Sequence, residues 1–99
     1  MMDRELFKKQ FKQELAFFSL IANRDIDAGF SRNQVEDELI KYASSFYGAR
    51  VDFDKYAVKK CYFVATFFNQ IIKGKVEDID INDLYDEILE ERKIRERGL

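Results

Sequence analysis

The 99-residue chain contains no histidine and a single cysteine, Cys61. Without an imidazole, Ser-His-Asp and Cys-His arrangements are closed to it. Cys61 would need another base and an exposed, electropositive setting to act as a nucleophile. It stands instead in the most apolar stretch of the chain, Cys61 to Phe68 (CYFVATFF), so a buried structural thiol is expected. One cysteine also excludes a disulfide framework and zinc-finger spacing.

Carboxylates are the remaining route to catalysis, because helices facing one another can hold a divalent cation between inward acids. The residues available are Glu36, Asp37 and Glu38 in one segment and Asp83, Asp86, Glu87 and Glu90 in another. The second group mostly flanks an apolar stripe, which suits a solvated face better than a metal centre. Asp78, Asp80 and Asn82 match the first three ligands of a calcium loop. Asp83 stands where that loop needs glycine, and Leu89 where it needs a bidentate glutamate, so the match fails at the turn and at the ligation. The glycines at 29, 48, 74 and 98 are isolated and cannot build a phosphate-binding loop. No catalytic, cofactor or metal residue is therefore expected, and no small-molecule substrate is indicated.

Binding is the alternative to catalysis. Arg50, Lys55, Lys59 and Lys60 gather around a short connection, loosely like a helix-turn-helix, and could reach phosphates. The helix that would follow turns fully apolar, and the net charge of −2 gives no attraction to a polyanion. Nucleic-acid binding through those four bases is thus a secondary expectation. Fifteen aromatic residues, ten of them Phe, are the more unusual feature. Adjacent pairs occur at Phe17-Phe18, Phe46-Tyr47, Tyr62-Phe63 and Phe67-Phe68. Neighbours on a helix point about 100° apart, so burying both needs broad coverage. Phe17, Phe18, Tyr47, Phe67 and Phe68 are accordingly expected at an interface with a protein partner or a second copy, where aromatics contribute most.

Four amphipathic helices must position these groups. In the first, about 3–22, Phe7, Phe11, Leu15, Phe18 and Ala22 fall within about 80° of one another. Asn23 to Phe30 reads as a loop. The second, about 31–47, opens on Ser31 with Gln34 three residues on, a capping box, and Phe30 and Val35 can form a hydrophobic staple. Gly48 reads as its left-handed stop. The third, about 52–73, is capped by Asp52 or Asp54 and ended by Gly74. Its apolar middle spares no face but Thr66, which predicts a central helix surrounded by the others. The fourth, about 80–95, is capped by Asp80, with Ile79 and Leu84 as a staple.

Helices joined by short loops favour antiparallel neighbours, so the expected fold is an all-α, compact four-helix bundle forming a single domain over residues 1–99. A charged tail begins near 91. Glu77 to Glu91 holds eight acids and no base, and Arg92 to Arg97 holds four bases and one acid, an order that complements the helix dipole. No apolar run approaches the roughly 20 residues needed to span a bilayer. Leu15 to Ala22 follows three lysines, but acids among them and the lack of a small-residue cleavage site argue against a secretory signal. A lone thiol suits a reducing cytoplasm. Phe, Tyr, Met, Ile, Asn and Lys total 40 residues against 18 for Gly, Ala, Arg and Pro, the bias of AT-rich codons, which points to a bacterial, phage or mobile-element source. The sequence therefore predicts a small, non-enzymatic, cytoplasmic interaction or regulatory module, self-association included.

Overall fold

A computed structural model describes the backbone of residues 3–48 and 57–97. Among the described residues the regular structure is entirely helical: α1 (Arg4–Asp27), α2 (Arg32–Gly48), α3 (Ala57–Thr66), α4 (Phe68–Ile72) and α5 (Asn82–Arg97), with one 3₁₀ turn at Val76–Asp78. The all-α bundle is what the periodicity predicts. α1 and the α3–α4 segment run parallel and touch at the centre, with Phe11 5.4 Å from Phe63. α2 and α5 run antiparallel to them on opposite sides, giving an up-down-up-down order.

Each helix end has a local cause. Asp3 caps α1 by accepting from the Glu5 backbone amide at 3.2 Å. α1 then continues past Ala22 through Asn23–Asp27, which the polar composition had suggested was loop. Asn23 Nδ2 donates to the Ser19 carbonyl at 2.8 Å, so its amide bonds within the helix rather than against it. The stop comes at Gly29, with φ +97°. Phe30 N bonds Asp25 O at 3.1 Å and Gly29 N bonds Ile26 O at 3.0 Å, the paired bonds of a Schellman motif. Gly74, with φ +72°, closes α4 in the same way, through Lys75 N to Gln70 O at 3.0 Å. Gly48 does not: it is the last helical residue of α2, and positive φ falls on Gly29 and Gly74.

The capping box at the start of α2 forms. Ser31 N donates to Gln34 Oε1 at 2.8 Å, and Gln34 N donates to Ser31 Oγ at 3.2 Å. Phe30 keeps 48% of its surface exposed, so the staple expected from it does not bury the ring. Asp80 accepts from Asn82 N at 2.9 Å and from Asn82 Nδ2 at 2.8 Å. Those two bonds, the backbone one first, hold its carboxyl below the usual carboxylate range, aided by Lys8 and Lys12. Asp52 and Asp54, the expected caps of the third helix, lie outside the described residues.

The third helix departs most from expectation. It breaks at Phe67 (φ −100°, ψ 21°) into α3 and α4. Thr66 Oγ1 donates back to the Tyr62 carbonyl at 2.8 Å, a side-chain bond that loosens and bends a helix. The segment does reach α1, α2 and α5, but it is not surrounded. Lys60, Val64, Phe68 and Ile71 are buried, whereas Val58 and Tyr62 are 67% and 72% exposed.

The core is built on α1. Phe11, Leu15, Phe18 and Ala22 are each 0–1% exposed and meet Val35, Leu39, Ala43 and Tyr47 of α2, Val64, Ile71, and Ile81 and Ile88. Two aromatic groups fill it. One joins Phe7, Phe11, Phe63, Phe67 and Tyr85 at centroid separations of 4.5–5.9 Å. The other sets Phe18 edge-on to Tyr42, Phe46 and Tyr47 at 5.8–5.9 Å. Lys60 connects them, its Nζ 5.7 Å from the Phe7 ring and 5.2 Å from the Tyr47 ring. Edge-on pairs add about 0.5–1.5 kcal/mol each beyond their burial.

Candidate functional site: the outer face of the third helix

The open side of α3 follows from its register. Val58, Cys61, Tyr62 and Ala65 recur at i, i+3, i+4 and i+7, one face of a helix. Lys60 and Val64 take the opposite face and anchor it to the core. α2 lies beside the open face and contributes Ile40 and Ser44, and the two helices enclose an apolar groove of about 390 Å³. Ser44 Oγ sits 3.7 Å from Cys61 Sγ on its floor. Cys61 is half-buried there, rather than fully buried as its apolar neighbours suggested.

On the other side of Tyr62 is a second cleft of about 430 Å³, between α3 and the start of α5. Its walls differ in chemistry: Tyr62, Phe63 and Phe67 on one side, Asp80, Asp83 and Glu87 on the other. Lys59 closes one end, 4.0 Å from Glu87 and 3.4 Å from Glu91. Asp83 has no cationic partner among the described residues. Tyr62 therefore stands as a ridge between an apolar groove and an acidic one.

The aromatic residues expected at an interface separate into two sets. Phe18 and Tyr47 are 0% exposed and Phe68 is 4% exposed. These three are core, and a partner could reach them only by opening the bundle. In three of the adjacent pairs one ring is buried (Phe18, Tyr47, Phe68) beside a half-buried or exposed neighbour, and in the fourth Tyr62 is exposed beside a half-buried Phe63. Phe17 is 45% exposed on the outer side of α1, 6.0 Å from Tyr42, and shares a shallow surface pocket with Gln10, Gln13 and Phe46. Phe67 is half-buried on Phe63 and faces the acidic cleft.

The basic residues fare differently. Arg50 and Lys55 lie outside the described residues. Lys59 is turned toward Glu87 and Glu91, and Lys60 is 8% exposed among aromatic rings. The two described bases are thus occupied within the fold. Of the carboxylates, Asp86 pairs with Arg4 at 2.7 Å and Glu38 with Lys41 at 3.8 Å. Among the described residues, no three His, Cys, Asp or Glu side chains gather in a geometry that could hold a metal ion.

Val58, Tyr62, Ile40 and Ala65 are the residues the sequence reading passed over. Their spacing was visible, but so was an apolar residue on nearly every other face of α3, and periodicity does not say which face lacks a neighbour. No protein-family model, curated protein or solved structure matches this chain, and its function is read from the geometry. No described helix is long and apolar enough to cross a membrane.

Proposed function

We propose that this chain is a non-enzymatic, cytoplasmic protein-interaction module: a four-helix scaffold that presents the outer face of α3 to another protein. The observation that carries the reading is the exposure of Tyr62 (72%) and Val58 (67%) beside an apolar groove. Large apolar side chains clustered at one place on a small surface are the usual mark of a docking site, and tyrosine is among the residues that dominate such sites. The lack of histidine and the engagement of Lys59 and Lys60 within the fold support binding of protein over catalysis or nucleic-acid binding. A regulatory or accessory role encoded by a phage or mobile element fits the small size and AT-rich-codon composition.

Affinity capture from source-cell lysate, with and without nuclease, tests the reading. A protein captured by the parent chain in the presence of nuclease, and lost with Val58→Ser combined with Tyr62→Ser, is the expected outcome. Capture unaffected by that double variant would move the interface elsewhere. Capture abolished by nuclease would replace the reading with nucleic-acid binding.

A further inference from the structure

We propose that the cleft between α3 and α5 receives an arginine side chain carried by the protein that docks on the outer face of α3. This rests on the reading of that face as a docking surface and names the chemistry of its partner.

α5 already holds one arginine in this manner. Arg4 of α1 donates to Asn82 Oδ1 at 3.2 Å and to Asp86 Oδ1 at 2.7 Å, with its guanidinium carbon 4.4 Å from the centre of the Tyr85 ring. Asn82 and Asp86 are four residues apart, so their oxygens share one helix face, and the ring adds its π surface. The neighbouring face of α5 repeats the arrangement one residue on. Asp83 and Glu87 are also four apart, and Tyr62, Phe63 and Phe67 stand opposite them across a cleft of about 430 Å³. Ring and carboxylates come from one helix at Arg4 and from facing segments here. No described arginine of the chain lines this second cleft.

The charge of the cleft is not balanced from within. Asp80, Asp83 and Glu87 line it against one ammonium, that of Lys59. Lys59 lies 3.4 Å from Glu91 and 4.0 Å from Glu87, so it serves the end of the cleft away from Asp83. Asp80 is bonded to Asn82 and favoured by Lys8 and Lys12. Asp83 has no such support among the described residues. Asp83 and Glu87 repel each other as like charges at i and i+4, and a cation between them relieves that. The helix dipole favours an acid at Asp83, in the first turn of α5, but it does not call for three aromatic rings opposite.

Those rings select the cation. A guanidinium is planar and weakly hydrated, so it lies flat on a ring while its N–H groups fork to a carboxylate; an ammonium is a strongly hydrated point charge that does neither as well. The Tyr62 ridge joins the cleft to the apolar groove of Ile40, Val58 and Ala65. A partner segment seated in that groove needs only to extend one long side chain over the ridge to reach Asp83. Arginine beside an apolar anchor is a combination that dominates protein interfaces.

The probe is a blocked Gly-Arg-Gly tripeptide, titrated into the full-length chain and followed by the amide NMR signals of every residue. Saturable shifts centred on Tyr62, Thr66, Asp83 and Glu87 are expected, with a millimolar Kd suited to a single side chain. The lysine tripeptide should bind about threefold more weakly or worse, and the citrulline tripeptide, equal in shape but uncharged, should not bind. Asp83→Asn should weaken the arginine probe about fivefold or more while signals remote from the cleft stay in place, which shows that the fold is kept. In the capture assay, the protein lost with Val58→Ser and Tyr62→Ser should also be lost with Asp83→Asn.

No saturable shift in the cleft, or binding indifferent to Asp83→Asn, would overturn the site. Equal binding of the lysine tripeptide would overturn arginine as its ligand. A probe that binds while Asp83→Asn leaves protein capture intact would overturn the protein-borne source and assign the cleft to a free organic cation. The docking face itself is judged separately: capture lost with Val58→Ser and Tyr62→Ser upholds it even where the probe fails, and capture unchanged by that pair overturns it even where the probe binds.

Discussion

The inner face of α1 and the outer face of α3 have nearly the same sequence signature and opposite fates. Phe11, Leu15, Phe18 and Ala22 of α1, spaced at three and four residues, are 0–1% exposed. Val58, Cys61, Tyr62 and Ala65 of α3, at i, i+3, i+4 and i+7, also share one helix face, and Val58 and Tyr62 are 67% and 72% exposed. Both stripes favour burial; only one finds cover within the chain. α1 lies where α2, α4 and α5 all converge on it, whereas α3 is gripped on one side by Lys60 and Val64 and left bare on the other. A helical period reports that a face is apolar. Whether the face is core or interface depends on how many neighbours the rest of the chain can supply.

The largest expected effect tests the covered half of this contrast. Phe18→Ala removes a ring packed against Tyr42, Phe46 and Tyr47 and should cost about 3–5 kcal/mol in urea unfolding. That is a large share of the roughly 5–15 kcal/mol typical of a small domain. A loss near 0.5 kcal/mol would mean that the inner face is no better packed than the outer one.

The stops that end the two compared segments give intermediate effects. Gly29→Ala and Gly74→Ala force a side chain into left-handed backbone (φ +97° and +72°) and should each cost about 1–2 kcal/mol. Gly48→Ala places a methyl where nothing lies within 4 Å, at a residue of α2 without positive φ, and should stabilise by about 0.4–1 kcal/mol. Equal losses at all three positions, read by thermal unfolding, would contradict the assignment of helix ends.

The smallest effect concerns the acidic wall beside Tyr62. Asp80 has a folded-state pKa lowered mainly by the Asn82 backbone amide and then by its side chain. Its contribution is complete above the ordinary carboxylate value and is lost as pH falls through the lowered one. Asp80→Asn should therefore lower the neutral plateau of a urea-midpoint profile slightly and leave its acid end nearly unchanged, which flattens the acid limb. An acid limb identical to that of the parent chain would remove Asp80 from the acid response.

Much of the fold was legible in the sequence because its signals are local. The Ser31–Gln34 box, the Gly74 stop and each step of three or four along the α1 stripe need only residues within about a turn of one another, whereas Asp80, read as the cap of the last helix, stands one residue before the cap position at Ile81. Three features were misread where a local signal had two meanings. Asn23–Asp27 looked like loop because it is polar, yet a solvated last turn of helix is polar too, and Gly29 held the true stop. Gly48 resembled a left-handed stop although glycine also sits in a helix end without positive φ. The adjacent aromatic pairs suggested an interface at Phe18, Tyr47 and Phe68, which the bundle buries by closing α1, α2 and α4 on them. Tyr62 was hidden for the converse reason. Its bareness is a property of how α2 and α5 are placed, and no short window of sequence contains it.

The most direct test of the contrast is the unfolding free energy of Tyr62→Glu, measured in dilute solution where chains are apart. The account predicts a value within about 0.5 kcal/mol of the parent, as for an ordinary surface substitution. A loss of more than about 2 kcal/mol, the cost of burying a charge or emptying a core site, would show that the ring is covered within a single chain and that α3 has no free face to offer.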